Sequence, residues 1–87
     1  MTDVLEDVVV FLVNIDNREL ASVGRDSKEV AAEFCRRPKW PFKLSEHFLA
    51  VDGWGYNTGT IVAATPSFSN WVGKTFADFQ RESGYKR

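Results

Sequence analysis

The sequence predicts an α+β fold in which a four-stranded antiparallel sheet is covered on one face by two helices. The prediction rests on two observations: apolar patterns follow one another in the order β-β-α-β-β-α, and turn-forming residues separate the members of each strand pair. A sheet and two helices bury their apolar faces when they pack as two layers. The 87 residues are 44% hydrophobic and 26% charged, a balance typical of one small domain spanning residues 1–87.

The first two strands are predicted as a hairpin. Residues 7–15 are rich in β-branched and other apolar side chains, which favours a strand inside the sheet because an edge strand alternates apolar with polar residues. Residues 16–18 read Asp-Asn-Arg and predict a turn, since Asp and Asn tolerate left-handed backbone. A shorter strand at 20–25 completes the hairpin.

A short amphipathic helix is expected next. Asp26 is placed to cap it, with Glu29 three residues later as in a capping box. Apolar residues recur at helical spacing between positions 30 and 35. Pro38 and Pro41 end the helix, because proline lacks the backbone donor that a helix needs.

The second half repeats this order. Strands are predicted at 44–51 and 60–64, joined by a glycine-rich loop, and a helix is predicted within 68–83. Either this helix runs continuously through Gly73, or it begins near Thr75 with its own cap. Gly84 is the expected C-cap.

Composition excludes several classes of protein. One cysteine cannot form an internal disulfide, and neither zinc-type cysteine pairs nor a clustered set of metal ligands is present. The sequence shows no apolar leader and no apolar stretch long enough for a membrane span, so we expect a soluble cytoplasmic domain without a cofactor or membrane partner. The one possible nucleophilic pair is Cys35 with His47, and catalysis requires these two to be in contact.

Charge is distributed unevenly along the chain. Residues 1–34 contain eight acids and three bases, and residues 35–87 contain four acids and eight bases. The two halves either neutralise each other in the folded state or form opposed patches that steer a charged partner.

The segment 36–43 concentrates cations and aromatic rings. Its sequence is Arg-Arg-Pro-Lys-Trp-Pro-Phe-Lys, and its candidate binding residues are Arg36, Arg37, Lys39, Trp40 and Lys43. Cations contact phosphates, and exposed rings stack on bases. The alternatives are a protein contact, or a helix end whose basic residues face the helix dipole while Trp40 and Phe42 fill the core.

The glycine-rich loop at 53–59 is the second candidate binding segment. Trp54, Tyr56 and Asn57 lie between its glycines. Displayed Trp and Tyr side chains are favoured anchors at protein interfaces, whereas rings folded onto the sheet would make this a structural turn. Its glycine spacing does not match a phosphate-binding loop.

These features favour a non-enzymatic protein-binding domain that occludes a partner surface, in the manner of stoichiometric inhibitors or adaptors of phages and mobile elements. The expected anchors are Trp54 and Tyr56, with cations from 36–43 facing an acidic rim. A nucleic-acid-binding domain using 36–43 is the alternative, and a small subunit of an enzyme is a second alternative.

Overall fold

Four strands form one antiparallel sheet in the order β2-β1-β3-β4. The computed structural model describes residues 8–53 and 59–86. The strands are β1 (Val8–Asn14), β2 (Glu19–Asp26), β3 (His47–Asp52) and β4 (Thr60–Ala64). The helices are α1 (Lys28–Arg36), a 3₁₀ helix (Pro66–Trp71) and α2 (Phe76–Ser83), and none of them is long and apolar enough to cross a membrane. The α+β class and the β-β-α-β-β-α order are therefore confirmed.

β1 lies inside the sheet, between β2 and β3, as its uniformly apolar sequence predicts. Its odd-numbered residues Val9, Phe11 and Val13 belong to one buried cluster, and Val8 and Val10 belong to another. Successive side chains of a strand point to opposite faces, so β1 is buried on both faces of the sheet.

The expectation that both helices cover one face is wrong. Phe76 and Phe79 of α2 join the cluster that contains Val9 and Phe11, whereas Ala31 and Cys35 of α1 join the cluster on the opposite face. The physical reason lies in β1 and β3, which carry apolar side chains on both faces. Each face then needs its own cover, and one helix packs on each.

The chain after β4 contains two separate helices rather than one. Gly73 has a φ of +94°, which breaks the helix, and α2 begins only at Phe76. Thr75 caps α2 by accepting a hydrogen bond from the Asp78 N–H at 3.1 Å. Gly84 ends α2 in the left-handed region, with a φ of +81°. Of the two alternatives, the helix that begins after a Thr75 cap is the one observed, and the Gly84 C-cap is confirmed.

Two local details differ from expectation in the first half. Ser27, rather than Asp26, caps α1, and its Oγ accepts a hydrogen bond from the Val30 N–H at 3.3 Å. Asp26 instead accepts a hydrogen bond from the Ser27 N–H at 2.9 Å. In the β1–β2 turn the left-handed residue is Arg18, with a φ of 58°, and the Asn14 side chain accepts hydrogen bonds from the N–H groups of Asp16 and Asn17.

Candidate functional site

The basic loop, defined here as residues 36–44, is anchored at two residues, Pro38 and Phe42. Pro38 is buried. Phe42 packs edge-on against two rings, with centroid distances of 5.7 Å to Phe34 and 5.3 Å to Phe48. The backbone between these anchors is closed by a hydrogen bond from the Phe42 N–H to the Lys39 carbonyl, at 2.9 Å. The loop is therefore held in one place by buried Pro38 and partly buried Phe42.

Trp40 lies between the two anchors and points away from the protein. Its side chain is 92% exposed, which is the largest exposure of any large hydrophobic residue in the described ranges. The expectation that Trp40 and Phe42 both fill the core is half right, since Phe42 packs inside and Trp40 does not. An exposed indole on an anchored loop is a ready contact surface, because the backbone that carries it loses little conformational freedom when it binds.

Leu44 adds a second exposed apolar side chain to the basic loop, at 73% exposure. We predicted a strand over 44–51, but β3 begins at His47. A turn replaces the first three residues: the Glu46 N–H donates to the Lys43 carbonyl at 3.1 Å, and the Glu46 carboxylate accepts from the Lys43 N–H at 3.0 Å. Sequence reasoning missed Leu44 as a site residue, because its apolar character was assigned to the sheet.

The basic loop also carries four exposed cations. Arg37, Lys39 and Lys43 are all exposed. Arg36 is exposed too, but its guanidinium is paired with the Glu33 carboxylate one helical turn earlier. The four predicted cations and Trp40, which are neighbours in the sequence, are thus all exposed, and Arg36 is partly neutralised by its pairing with Glu33.

The other predicted anchors, Trp54, Tyr56 and Asn57, lie outside the described residues. Their role as binding residues stays a prediction.

The Cys35–His47 pair is not assembled. Cys35 is buried beneath α1, and burial raises the pKa of its thiol to about 12, so the thiol stays protonated at neutral pH. His47 lies on the opposite face of the sheet, where its Nδ1 is 2.9 Å from the Ser67 Oγ and its ring contacts Phe68. The sheet therefore separates the thiol from the imidazole. In the described part of the chain, no three His, Cys, Asp or Glu side chains cluster as metal ligands.

A cleft of about 180 Å³ opens between α1 and the edge strand β2. Its lining is mostly apolar and consists of Val10, Val23, Gly24, Arg25, Asp26, Val30, Ala31, Phe34 and Phe42. The sequence pattern could not predict this cleft, because the cleft depends on the distance between α1 and β2 in the folded protein. Phe42 belongs both to this cleft and to the basic loop, so the two features are adjacent.

No protein-family model, curated protein or solved structure gives a significant match to this chain.

Proposed function

We propose that this chain is a non-enzymatic protein-binding domain that acts by occluding a surface of its partner, as a stoichiometric inhibitor or adaptor does. The observation that carries the proposal is the exposure of Trp40, 92%, on a loop whose neighbours Pro38 and Phe42 are anchored. An exposed Trp is costly to hydrate, and Trp is among the residue types most enriched at the energetic centres of protein interfaces.

Leu44 favours a protein partner over a nucleic acid. An aliphatic side chain that is 73% exposed gains free energy by entering an apolar pocket, but it offers no ring on which a base can stack. Phe42 has its ring committed to Phe34 and Phe48, so Trp40 is the exposed ring of the 36–43 segment. The surface is therefore better suited to an apolar pocket than to a strand of bases.

The cations Arg37, Lys39 and Lys43 define the rim of the proposed interface. Exposed charges of one sign steer a partner of the opposite sign and reject a partner of the same sign. We expect the partner surface to be an apolar pocket with acidic residues around it. Raising the salt concentration is expected to slow association more than it speeds dissociation, since rim charges act chiefly on the association rate.

The test compares three forms of the chain as bait for capture from lysate: wild type, Trp40→Ala and Ile15→Ala. Ile15 is a matched control because it is also an exposed apolar side chain, at 48%, but lies outside the basic loop. A true partner is retained by wild type and by Ile15→Ala, and it binds Trp40→Ala about thirtyfold more weakly, the effect of losing an anchor of about 2 kcal/mol. Equal capture by all three forms contradicts the proposal.

Nucleic-acid binding is the second candidate, because exposed cations beside an exposed indole also suit phosphates and bases. Anisotropy titrations with labelled single- and double-stranded nucleic acid at low and near-physiological salt separate the two. Binding that persists near physiological salt and is lost in Trp40→Ala would replace the protein-binding proposal.

A further inference from the structure

We infer that the cleft between α1 and β2 is a pocket for one large apolar side chain from an acidic segment of the partner protein. The inference rests on the proposed function, because it assigns a second contact to the partner that Trp40 anchors. Its basis is the size of the cleft, its apolar lining and the cations that neighbour Phe42, one of its lining residues.

The cleft has the size and lining that a single side chain requires. Its volume is about 180 Å³, and its walls include Val10, Val23, Val30 and Phe34. An apolar cavity of about 150 Å³ is sufficient to hold a benzene ring. Val30 is 47% exposed at the helix wall, so this wall gains burial when the cleft is filled.

Gly24 keeps the cleft open. It pairs with Val10 on the cleft face of the sheet, and a Cβ placed on it would meet no atom within 4 Å. Because no described strand pairs with β2 on its outer side at Gly24, a side chain can enter the cleft past this residue. A large apolar side chain beside an edge glycine covers backbone that the glycine leaves bare, which is a recognised way to stabilise such positions.

Charge selects an acidic segment as the occupant. Phe42 lines the cleft, and two cations lie close to it: Lys43 follows it in the chain, and the Lys39 carbonyl accepts a hydrogen bond from the Phe42 N–H at 2.9 Å. The lining itself contains one acid and one base, Asp26 and Arg25, which offset each other. Carboxylates that flank the inserted side chain would face the basic loop, whereas lysines at the same positions would be repelled.

The experiment titrates the ¹⁵N-labelled full chain with three synthetic peptides and follows backbone amide shifts. The probes are N-acetyl-Glu-Glu-Trp-Glu-Glu-amide, the same peptide with Lys in place of Glu, and the same acidic peptide with Ser in place of Trp. Saturable shifts are expected at the cleft residues Val23, Gly24 and Ala31, with affinity about tenfold lower for each of the two altered peptides. Shifts that are absent, that lie elsewhere, or that are equal for the Trp and Ser peptides overturn the inference.

Two variants test the cleft directly. Gly24→Leu adds a side chain in open space at a position without a left-handed backbone, so the fold is retained while the cleft is filled. Ser22→Leu is the matched control, because it adds the same side chain to β2 on the opposite face, opposite Phe11. Loss of the acidic-peptide shifts in Gly24→Leu, together with their retention in Ser22→Leu, is the expected result. The reverse pattern, or equal binding by both variants, overturns the inference.

Failure of the cleft and failure of the proposed function are distinguishable. Partner capture that depends on Trp40 but is unchanged in Gly24→Leu rejects the cleft alone. Peptide binding that depends on Gly24, with partner capture unchanged in Trp40→Ala, rejects the role of Trp40 alone. Sedimentation of the free chain provides a further check, since a dimer that Gly24→Leu dissociates would show that a second copy, not an acidic partner, fills the cleft.

Discussion

The ring of Phe42 packs edge-on against the ring of Phe48 in β3, with centroids 5.3 Å apart and planes at 82°. Two residues earlier in the same loop, Trp40 is 92% exposed. One aromatic side chain therefore ties the loop to the sheet while the other is available to a partner. Substitutions at Phe42 and Trp40 are therefore expected to affect different properties, the first stability and the second binding.

Phe42→Ala is expected to destabilise the protein by about 2–3 kcal/mol, near the lower end for Phe truncation because the ring is only partly buried. Trp40→Ala is expected to change the free energy of unfolding by no more than about 0.5 kcal/mol, since it removes an exposed side chain. Urea unfolding followed by far-ultraviolet circular dichroism measures both. If the two substitutions lower the free energy of unfolding by similar amounts, Trp40 also stabilises the fold.

Thr65 connects α1 to β3 through its hydroxyl group. Its Oγ1 accepts a hydrogen bond from the Phe48 N–H at 2.7 Å and lies 3.4 Å from the carbonyl oxygens of Cys35 and Phe48. Thr65→Val leaves the Phe48 N–H without this acceptor and is expected to lower the free energy of unfolding by about 1–3 kcal/mol. Thr65→Ser keeps the hydroxyl and is the control. If Thr65→Ser lowers the free energy of unfolding as much as Thr65→Val does, the packing of the Thr65 methyl group, rather than the hydrogen bond, is responsible.

The stability of the protein is expected to fall at high pH because of Cys35. Burial raises the pKa of its thiol from 9.0 to about 12 in the folded state. Above pH 9 the unfolded chain loses a proton that the folded chain keeps, so the contribution is fully present below pH 9 and is lost as the pH rises toward 12. Between pH 8 and pH 10 the free energy of unfolding is expected to fall by about 1.4 kcal/mol more in wild type than in Cys35→Ala.

Urea titrations of wild type and Cys35→Ala at both pH values measure this difference. The comparison cancels the titration of lysines and tyrosines, which both forms contain. If the free energy of unfolding changes equally with pH in the two forms, folding does not raise the pKa of the Cys35 thiol.

Gly84 and Gly24 are expected to respond oppositely to a methyl group. Gly84 ends α2 with a φ of +81°, where an L-residue is strained, so Gly84→Ala is expected to destabilise by about 1 kcal/mol. Gly24 lies in a strand without a left-handed φ, and an added Cβ meets nothing within 4 Å. Gly24→Ala is therefore expected to be neutral or to stabilise by up to about 1 kcal/mol. Thermal unfolding of both variants checks the signs.

Local patterns predicted those elements whose stability is decided nearby in the chain. β4 was predicted with the observed bounds, because its apolar run lies between a glycine-rich segment and a proline. The Thr75 cap and the Gly84 C-cap depend on residues within four positions of each other, so they too were predictable. Residues 44–46 were assigned wrongly because the turn there depends on the Glu46 carboxylate, which accepts a hydrogen bond from the Lys43 N–H, and no local sequence pattern indicates this bond.

The sequence by itself determined the class of the fold, the order of its elements and the interior position of β1, because hydrophobic periodicity and turn residues are properties of short segments. Only the tertiary structure decided that the helices lie on opposite faces, that Phe42 is packed while Trp40 is exposed, and that the sheet separates Cys35 from His47. Each of these depends on which distant side chains compete for the same buried volume. The ring of Phe42 packs beside Phe34 and Phe48, whereas the ring of Trp40 is exposed to solvent.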